Sequence, residues 1–370
     1  MSVAGIDPSV RQRPHIAGLL AGVGGAALLF AGVLSLPDPA LPSVLLVSLV
    51  LGAAFVLLDY GFVSGFRALL ERGDGRAVGA SFLMPAVAAL VIVPFGSLAE
   101  EYGRFVAPVG LSLLVGAMMF GVGMQISNGC GSGVLVAAGQ CSRRMWVTLP
   151  FFCVGGVIGS LLLPVALTLP SLGAGDLVVW LGPWGGLLAM EVLLGLSALV
   201  VLRGARPDAT MLRKAAIIGA LAALLFLVSG MPWGITAGLA LWGAKVTQLV
   251  GVDLACSPFW SEPWARAALE GSVLAAHSSL SDLGLLFGAM IAAAAKGQLR
   301  HGVPLGRDGA VGAAVGGLLM GIGARLSFGC NVGAFLGGAS SASLHGLAWF
   351  VAVLPGCWLG IRLRPLFGLR

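Results

Sequence analysis

The sequence predicts an all-α polytopic membrane protein: about ten transmembrane helices, short re-entrant half-helices and an inverted internal repeat. Three observations carry this reading. Hydrophobic residues make up 58% of the chain and charged residues 10%, with a mean hydropathy of +1.01. A soluble domain carries about a quarter charged residues. Long apolar runs recur along the whole sequence, and two of them end in the same cysteine motif. Glycine fills 58 of 370 positions, which suits close helix approach and irregular backbone in a membrane interior.

A hydrocarbon core about 30 Å thick needs about 20 apolar residues per helix. Runs of about that length lie near 16–36, 41–59, 77–99, 106–126, 145–168, 186–203, 213–230, 281–297, 308–326 and 345–361. The first is too long for a signal-peptide core and reads as a span. The 231–275 segment breaks into two short pieces, one opened by Pro232 and one by Pro263. The basic residues support this order. With the N-terminus in the cytoplasm, these residues gather on that side: Arg11, Arg13, Arg67, Arg72, Arg76, Arg143, Arg144, Arg203, Arg206, Arg213, Lys214, Lys296, Arg300, Arg307, Arg362, Arg364 and Arg370. They are 17 of the 21 basic residues. Arg104, Lys245, Arg266 and Arg325 fall elsewhere, while Glu100, Glu101, Asp176, Asp253 and Glu262 lie in the opposite segments. Both termini are therefore expected inside. The net charge of +6 is spread between apolar runs, with no basic-aromatic patch for nucleic acid.

The repeat is legible at an offset of 200. Met119–Cys130 (MFGVGMQISNGC) lies over Leu319–Cys330 (LMGIGARLSFGC), and Gly116 and Gly133 meet Gly316 and Gly333. A second echo at an offset of 173 sets Tyr60-Gly61-Phe62 over Trp233-Gly234-Ile235. Five spans separate the two cysteines, an odd number, so the copies are expected to face opposite ways. Inverted copies with glycine-interrupted helices are a sequence pointer to a transport site. The expected division is a leading segment 1–40, a first half 41–175, a connecting segment 176–212 and a second half 213–370.

Gly129 and Gly133 flank Cys130, and Gly329 and Gly333 flank Cys330. Such glycines suit a turn between helix pieces. A short helix starting at the cysteine would aim free N–H groups at an anion. Cys130 and Cys330 are thus the candidate pathway residues. Cys141, Cys153 and Cys357 read as small buried apolar groups, and Cys256 falls in the irregular segment. No CxxC pairing points to a metal, and no cofactor is expected. Arg325, Asn128 and Asn331 are candidate anion contacts. Glu191 is expected to bond between helices, and Asp282 to cap or orient one; Gln125 stands at the place that matches Arg325 in the other copy.

The second half resembles the YeeE/YedE family. The resemblance rests on Gly323–Phe335 (GARLSFGCNVGAF), on Ser343-Leu344-His345-Gly346, on Pro232-Trp233-Gly234-Ile235-Thr236 with Ala240–Lys245, and on the ending Arg362-Leu363-Arg364-Pro365-Leu366. It implies uptake of thiosulfate across the bacterial inner membrane, some members being linked to other sulfur or selenium compounds. It also implies an hourglass-like shape with loops dipping in from both sides, and transfer of the product to a cytoplasmic TusA-like sulfur carrier. Cysteines of the family are held to pass the anion by transient thiol hydrogen bonds, and Cys130 and Cys330 take two of three such places. The third carries Gly61 here, where the family has cysteine. The other reading is an enzyme, a membrane sulfurtransferase carrying a persulfide. No His/Asp arrangement flanks either thiol in the sequence, and nothing resembles a P-loop that would couple transport to ATP.

Overall fold

The computed structural model describes residues 13–299 and 304–369; Arg11, Arg300 and Arg370, counted above among the cytoplasmic charges, lie outside the described residues. The helices in chain order are α1 (Ile16–Leu34), α2 (Leu41–Leu57), α3 (Phe62–Arg72), α4 (Arg76–Ser81), α5 (Leu83–Leu98), α6 (Leu111–Ser127), α7 (Gly131–Gly139) and α8 (Arg143–Ala166). The second half continues with α9 (Leu177–Leu202), α10 (Ala209–Ser229), α11 (Thr236–Leu249), α12 (Pro263–Glu270), α13 (His277–Ala295) and α14 (Arg307–Leu326). A π-helix (Asn331–Gly338) and α15 (Leu344–Leu363) complete it. Two short strands, β1 (Pro108–Gly110) and β2 (Ser171–Ala174), pair antiparallel.

Among the described residues nine helices are long and apolar enough to cross a membrane, or ten if α2 and α3, bent by 40°, count as one. Polar backbone must be satisfied inside lipid, and helices do this within one segment. The expected spans are present. The sixth, expected near 186–203, is the part of α9 after Gly182, whose backbone (φ 75°, ψ 171°) is not helical and, with Pro183 next to it, breaks α9 into a short first piece and a long second one. The irregular 231–275 segment holds α11 and α12, as two short pieces. It leaves and returns at one end of the bundle, since His277 Nδ1 lies 3.1 Å from the Ser229 carbonyl.

The two halves pack as inverted copies. On α6 and α14, a Cβ added to Gly116 would lie 2.7 Å from the Gly323 carbonyl, and one on Gly123 2.6 Å from the Gly316 carbonyl. Residue numbers rise along one helix as they fall along the other, so the crossing is antiparallel. The four glycines are two repeat pairs exchanging contacts, as a pseudo-twofold axis requires. Small residues at such a crossing let backbones touch where lipid leaves no hydrophobic drive for association. Other contacts match as well: α13 packs on α2 as α5 packs on α10, and α14 on α8 as α6 on α15. Moreover, α1 rests on α13 and α9 rests on α5. The helices ahead of each half therefore also take matching places, although they share no motif.

The ends of the bundle differ in charge. At the end opposite the basic loops, Arg104 forms a two-pronged pair with Asp176 (2.8 and 2.9 Å) and donates to the Ser341 carbonyl at 3.1 Å. Asp176 also caps α9, accepting from the Val178 amide at 2.9 Å. Burial alone would raise the Asp176 carboxyl, but the Arg104 guanidinium and the helix amides together hold it below the usual carboxylate range. A lowered folded-state value stabilises above the unfolded one and is lost as pH falls through the folded one. Asp176→Asn is thus expected to melt lower than wild type at pH 7, with the gap closing below about pH 4. Arg104→Ala, which strands the carboxylate, should cost about 2–3 kcal/mol at pH 7. Thermal melts of detergent-solubilised protein between pH 3 and 7 check both; a gap that persists unchanged at pH 3 would refute the assignment.

Candidate functional site

Each long central helix ends in the same construction. Ser127 Oγ donates back to the Gly123 carbonyl at 2.7 Å and approaches the Gly129 carbonyl at 3.2 Å; Ser327 repeats both contacts on Gly323 and Gly329 at the same distances. The next residue turns into the left-handed region, Asn128 at φ 64° and Phe328 at φ 62°. Asparagine accepts that conformation readily, whereas a bulky phenylalanine there is strained, and such strain concentrates at functional positions. Gly329 follows at φ 153°, where a Cβ would press within 2.4 Å of the Ala334 amide. This is one position where glycine is required.

The cysteines open the next helices. Cys130 Sγ accepts from the Gly133 amide at 3.3 Å as cap of α7, and Cys330 Sγ accepts from the Val332 amide at 3.4 Å as cap of the π-helix. Both residues are buried and neither is in a disulfide. With the sulfur lone pairs facing the helix amides, the S–H of each thiol is left to donate elsewhere. The Cys330 carbonyl accepts from both the Ala334 and Phe335 amides, at 2.9 and 3.2 Å. That sharing widens the helix, and such π-turns gather at functional sites.

The two cysteine turns meet. A Cβ on Gly131 would lie 2.9 Å from the Cys330 sulfur and 3.8 Å from the Ile235 side chain. Ile235 belongs to the second copy of the other motif, and Phe62, from its first copy, turns its amide toward Cys130. Phe55 joins the two copies by edge contacts to Tyr60 (5.8 Å) and Trp233 (6.1 Å). All four motif segments thus converge. Gly61, Gly234 and Gly333 have nothing within 4 Å of where a Cβ would lie; Gly61 is exposed, Gly234 half-buried and Gly333 buried, so the convergence leaves open space from the accessible surface to the interior.

Cavities reach toward the site from two sides. One of about 30 Å³ is lined by Tyr60, Gly61, Phe62, Gly65 and Ser81. It lies beside the start of α4, at the basic end. Another of about 120 Å³ is lined by Pro108, Ser112, Leu167, Ser171 and Phe328. It lies by β2 and the end of α8, at the opposite end. Phe328, in its lining, is the residue next to Gly329-Cys330 in the chain.

The remaining candidates sort by their contacts. Asn331 is wholly buried, and neither polar atom of its amide has a partner. The Asn128 oxygen accepts from Arg364 at 3.1 Å, which ties that turn to the C-terminal segment. Arg325 places its guanidinium 4.5 Å from the centre of the Phe259 ring, facing the 250–262 segment. Gln125 packs its Cβ on Gly360 of α15, its amide unpaired. Two expectations are corrected. Asp282 caps nothing: α13 begins at His277, so Asp282 lies inside the helix, wholly buried, with both oxygens unpartnered. Glu191 was expected to bond a neighbouring helix, yet its buried Oε1 has no partner. Ile235, Phe62 and Phe328 were not singled out as site residues, although the offset-173 echo contained the first two.

Comparison with known proteins fits this geometry. The profile of the sulphur transport family matches residues 59–359, which include all four converging segments. The chain belongs to the sulphur transport family. It is 35% identical over 156 residues to the probable transporter YedE of Escherichia coli K12, covering 40% of this chain and 37% of that protein. The Salmonella typhimurium YedE aligns equally well. The chain thus spans well under half the length of these relatives. It is also 27% identical over 264 residues to the thiosulfate transporter TsuA of Spirochaeta thermophila, covering 66% of this chain and 75% of that protein. The matched region includes both cysteine turns, and the helices described above are those of a multi-pass membrane protein.

Proposed function

We propose that this chain carries thiosulfate, or a closely related small sulfur-containing anion, across the bacterial inner membrane. The observation that carries the reading is the meeting of the two cysteine turns, with Gly131 against the Cys330 sulfur and open space at Gly61, Gly234 and Gly333. An anion entering past Phe328 meets the Cys330 thiol, the buried Asn331 amide and the first amides of the π-helix. Cys130 and the start of α7 then offer the same set from the other copy. Helix N-termini and S–H donors attract an anion without binding it as firmly as a fixed cation would. Arg325, on the Phe259 side, adds positive potential at entry. The basic residues at the other end support a cytoplasmic place for it, where a TusA-like sulfur carrier would receive the product. The similarity to TsuA supports the choice of thiosulfate. A selenium analogue of like size and charge would fit the same donors. A persulfide-carrying sulfurtransferase is less well supported, since among the described residues the one polar side chain bonded to either thiol is Ser132, 3.5 Å from Cys130.

Growth of a bacterium lacking its own sulfate and thiosulfate importers, with thiosulfate as sole sulfur source, tests the reading. The gene is expected to restore growth, and failure with the protein present in the membrane would exclude thiosulfate as its substrate. Gly61 has room for a side chain and an extended backbone (φ −161°). Gly61→Cys is therefore expected to fold normally and to keep or raise the growth rate, supplying a thiol at the basic-end cavity. A non-growing, well-expressed variant would show that this opening must stay clear.

A further inference from the structure

Asp282 is the one carboxylate side chain in the described part of the chain that is fully buried with neither oxygen bonded. A charged group in that condition inside a membrane is costly and marks an ion or proton pathway. Its position gives it a task. In the first half, Gly65 of α3 and Ser81 of α4 line the basic-end cavity together with Gly61. The matching Gly238 of α11 faces α13, where a Cβ on it would meet the Asp282 carboxylate. Asp282 therefore packs in the second half against the glycine whose first-half partner, Gly65, lines a cavity. It lies within electrostatic reach of the Cys330 and Cys153 sulfurs.

Among the described residues no fixed cation answers it. The packing partners α1, α2 and α7 bring no charged residue. Lys245 on α11 is engaged by the Leu269 and Gly271 carbonyls. His277, earlier on α13, is 2.8 Å from Asp38. A bound metal ion would need several oxygen ligands, but the nearby Ser279 hydroxyl accepts from Trp242 at 2.7 Å and Ser281 donates to the Ser278 carbonyl at 2.9 Å. A proton needs one oxygen.

We propose that Asp282 is the protonation site that couples inward anion movement to a proton gradient. The inference rests on the anion-transport reading above. A membrane potential negative inside opposes entry of a dianion, and a proton carried with it reduces the charge that must cross. An anion arriving at Cys330 repels an ionised Asp282, so anion binding favours proton binding. By reciprocity the proton favours the anion equally. Asp282 takes its proton from the outer side as the anion enters and releases it to the cytoplasm once the anion has left.

Purified full-length protein in liposomes tests this, with the potential clamped at zero and the outside one pH unit more acidic. Wild type is expected to concentrate labelled thiosulfate roughly tenfold per proton carried, and to acidify an internal pH dye as it does so. Asp282→Asn should exchange labelled for unlabelled thiosulfate close to the wild-type rate, yet neither concentrate it nor acidify the interior. Asp282→Glu should recover both. The proposal is overturned if Asp282→Asn still follows the pH gradient, if accumulation follows sodium instead, or if a folded Asp282→Asn loses exchange as well. Absence of thiosulfate exchange by wild type would instead sink the transport reading itself.

Discussion

Gly123→Val and Gly316→Val are each expected to prevent recovery of folded protein. At the α6–α14 crossing, a Cβ on Gly123 would lie 2.6 Å from the Gly316 carbonyl, and one on Gly316 2.8 Å from the Gly123 carbonyl. The obstacle is backbone on both sides, so no rotamer change relieves it. Overpacking a well-filled core costs about 1–3 kcal/mol and more when backbones must part. Alanine at either site should cost about that much, and valine more. Both helices would have to separate, and they hold the two cysteine turns. Glycines elsewhere supply the control. Gly24 and Gly195 have nothing within 4 Å of a Cβ, and neither has a left-handed backbone. Alanine at those sites should be neutral or stabilise by about 0.5–1 kcal/mol through helix propensity. Melting of detergent-solubilised protein, with size-exclusion profiles, separates the two groups. Equal behaviour of Gly123→Ala and Gly24→Ala would mean that the crossing is not as close as described.

The second large effect is expected at the thiols. Cys130→Ser and Cys330→Ser should each lower thiosulfate uptake at least about tenfold, the loss of one hydrogen bond to a charged group. Serine differs from cysteine by more than an atom here. Ser127 and Ser327 show what a hydroxyl does in this backbone: each turns to a carbonyl four residues back at 2.7 Å. A hydroxyl at 130 or 330 that turned to a backbone carbonyl in the same way would spend its donor there, and that donor would be lost to the path. Alanine, which has no donor, should be at least as impaired. Stability should hardly change, because the sulfurs accept weak bonds from single amides at 3.3 and 3.4 Å. A loss of uptake with unchanged melting is therefore the expected pattern.

Much of this architecture is legible in the sequence, for physical reasons. Lipid demands long apolar helices, so their number shows in hydropathy; the cysteine turns need the same serine, glycine and cysteine in both copies, so the offset of 200 shows. Other features leave no such trace. Helices α1 and α9 occupy matching places, but their apolar windows are only 17% and 22% buried. Lipid asks of such surfaces nothing except that they be apolar. The short first piece of α9, set off by the non-helical Gly182 and by Pro183, is too brief to show as a span in hydropathy. Asp282 resembled a cap because serines precede it, yet α13 begins a turn and a half earlier. The bond from Arg364 to Asn128 joins residues 236 apart in the chain, and no local pattern announces it. Likewise the contact of Gly131 with Cys330 depends on how the two halves dock.

Uptake of labelled thiosulfate by the purified protein in liposomes is the most direct measure of the central claim, that two inverted cysteine turns form one path for a small sulfur anion. Wild type should fill the vesicles, while Cys130→Ser and Cys330→Ser, melting as wild type does, should each fall at least about tenfold. Uptake at the wild-type rate by either variant would contradict the claim, because the anion would then cross without that thiol.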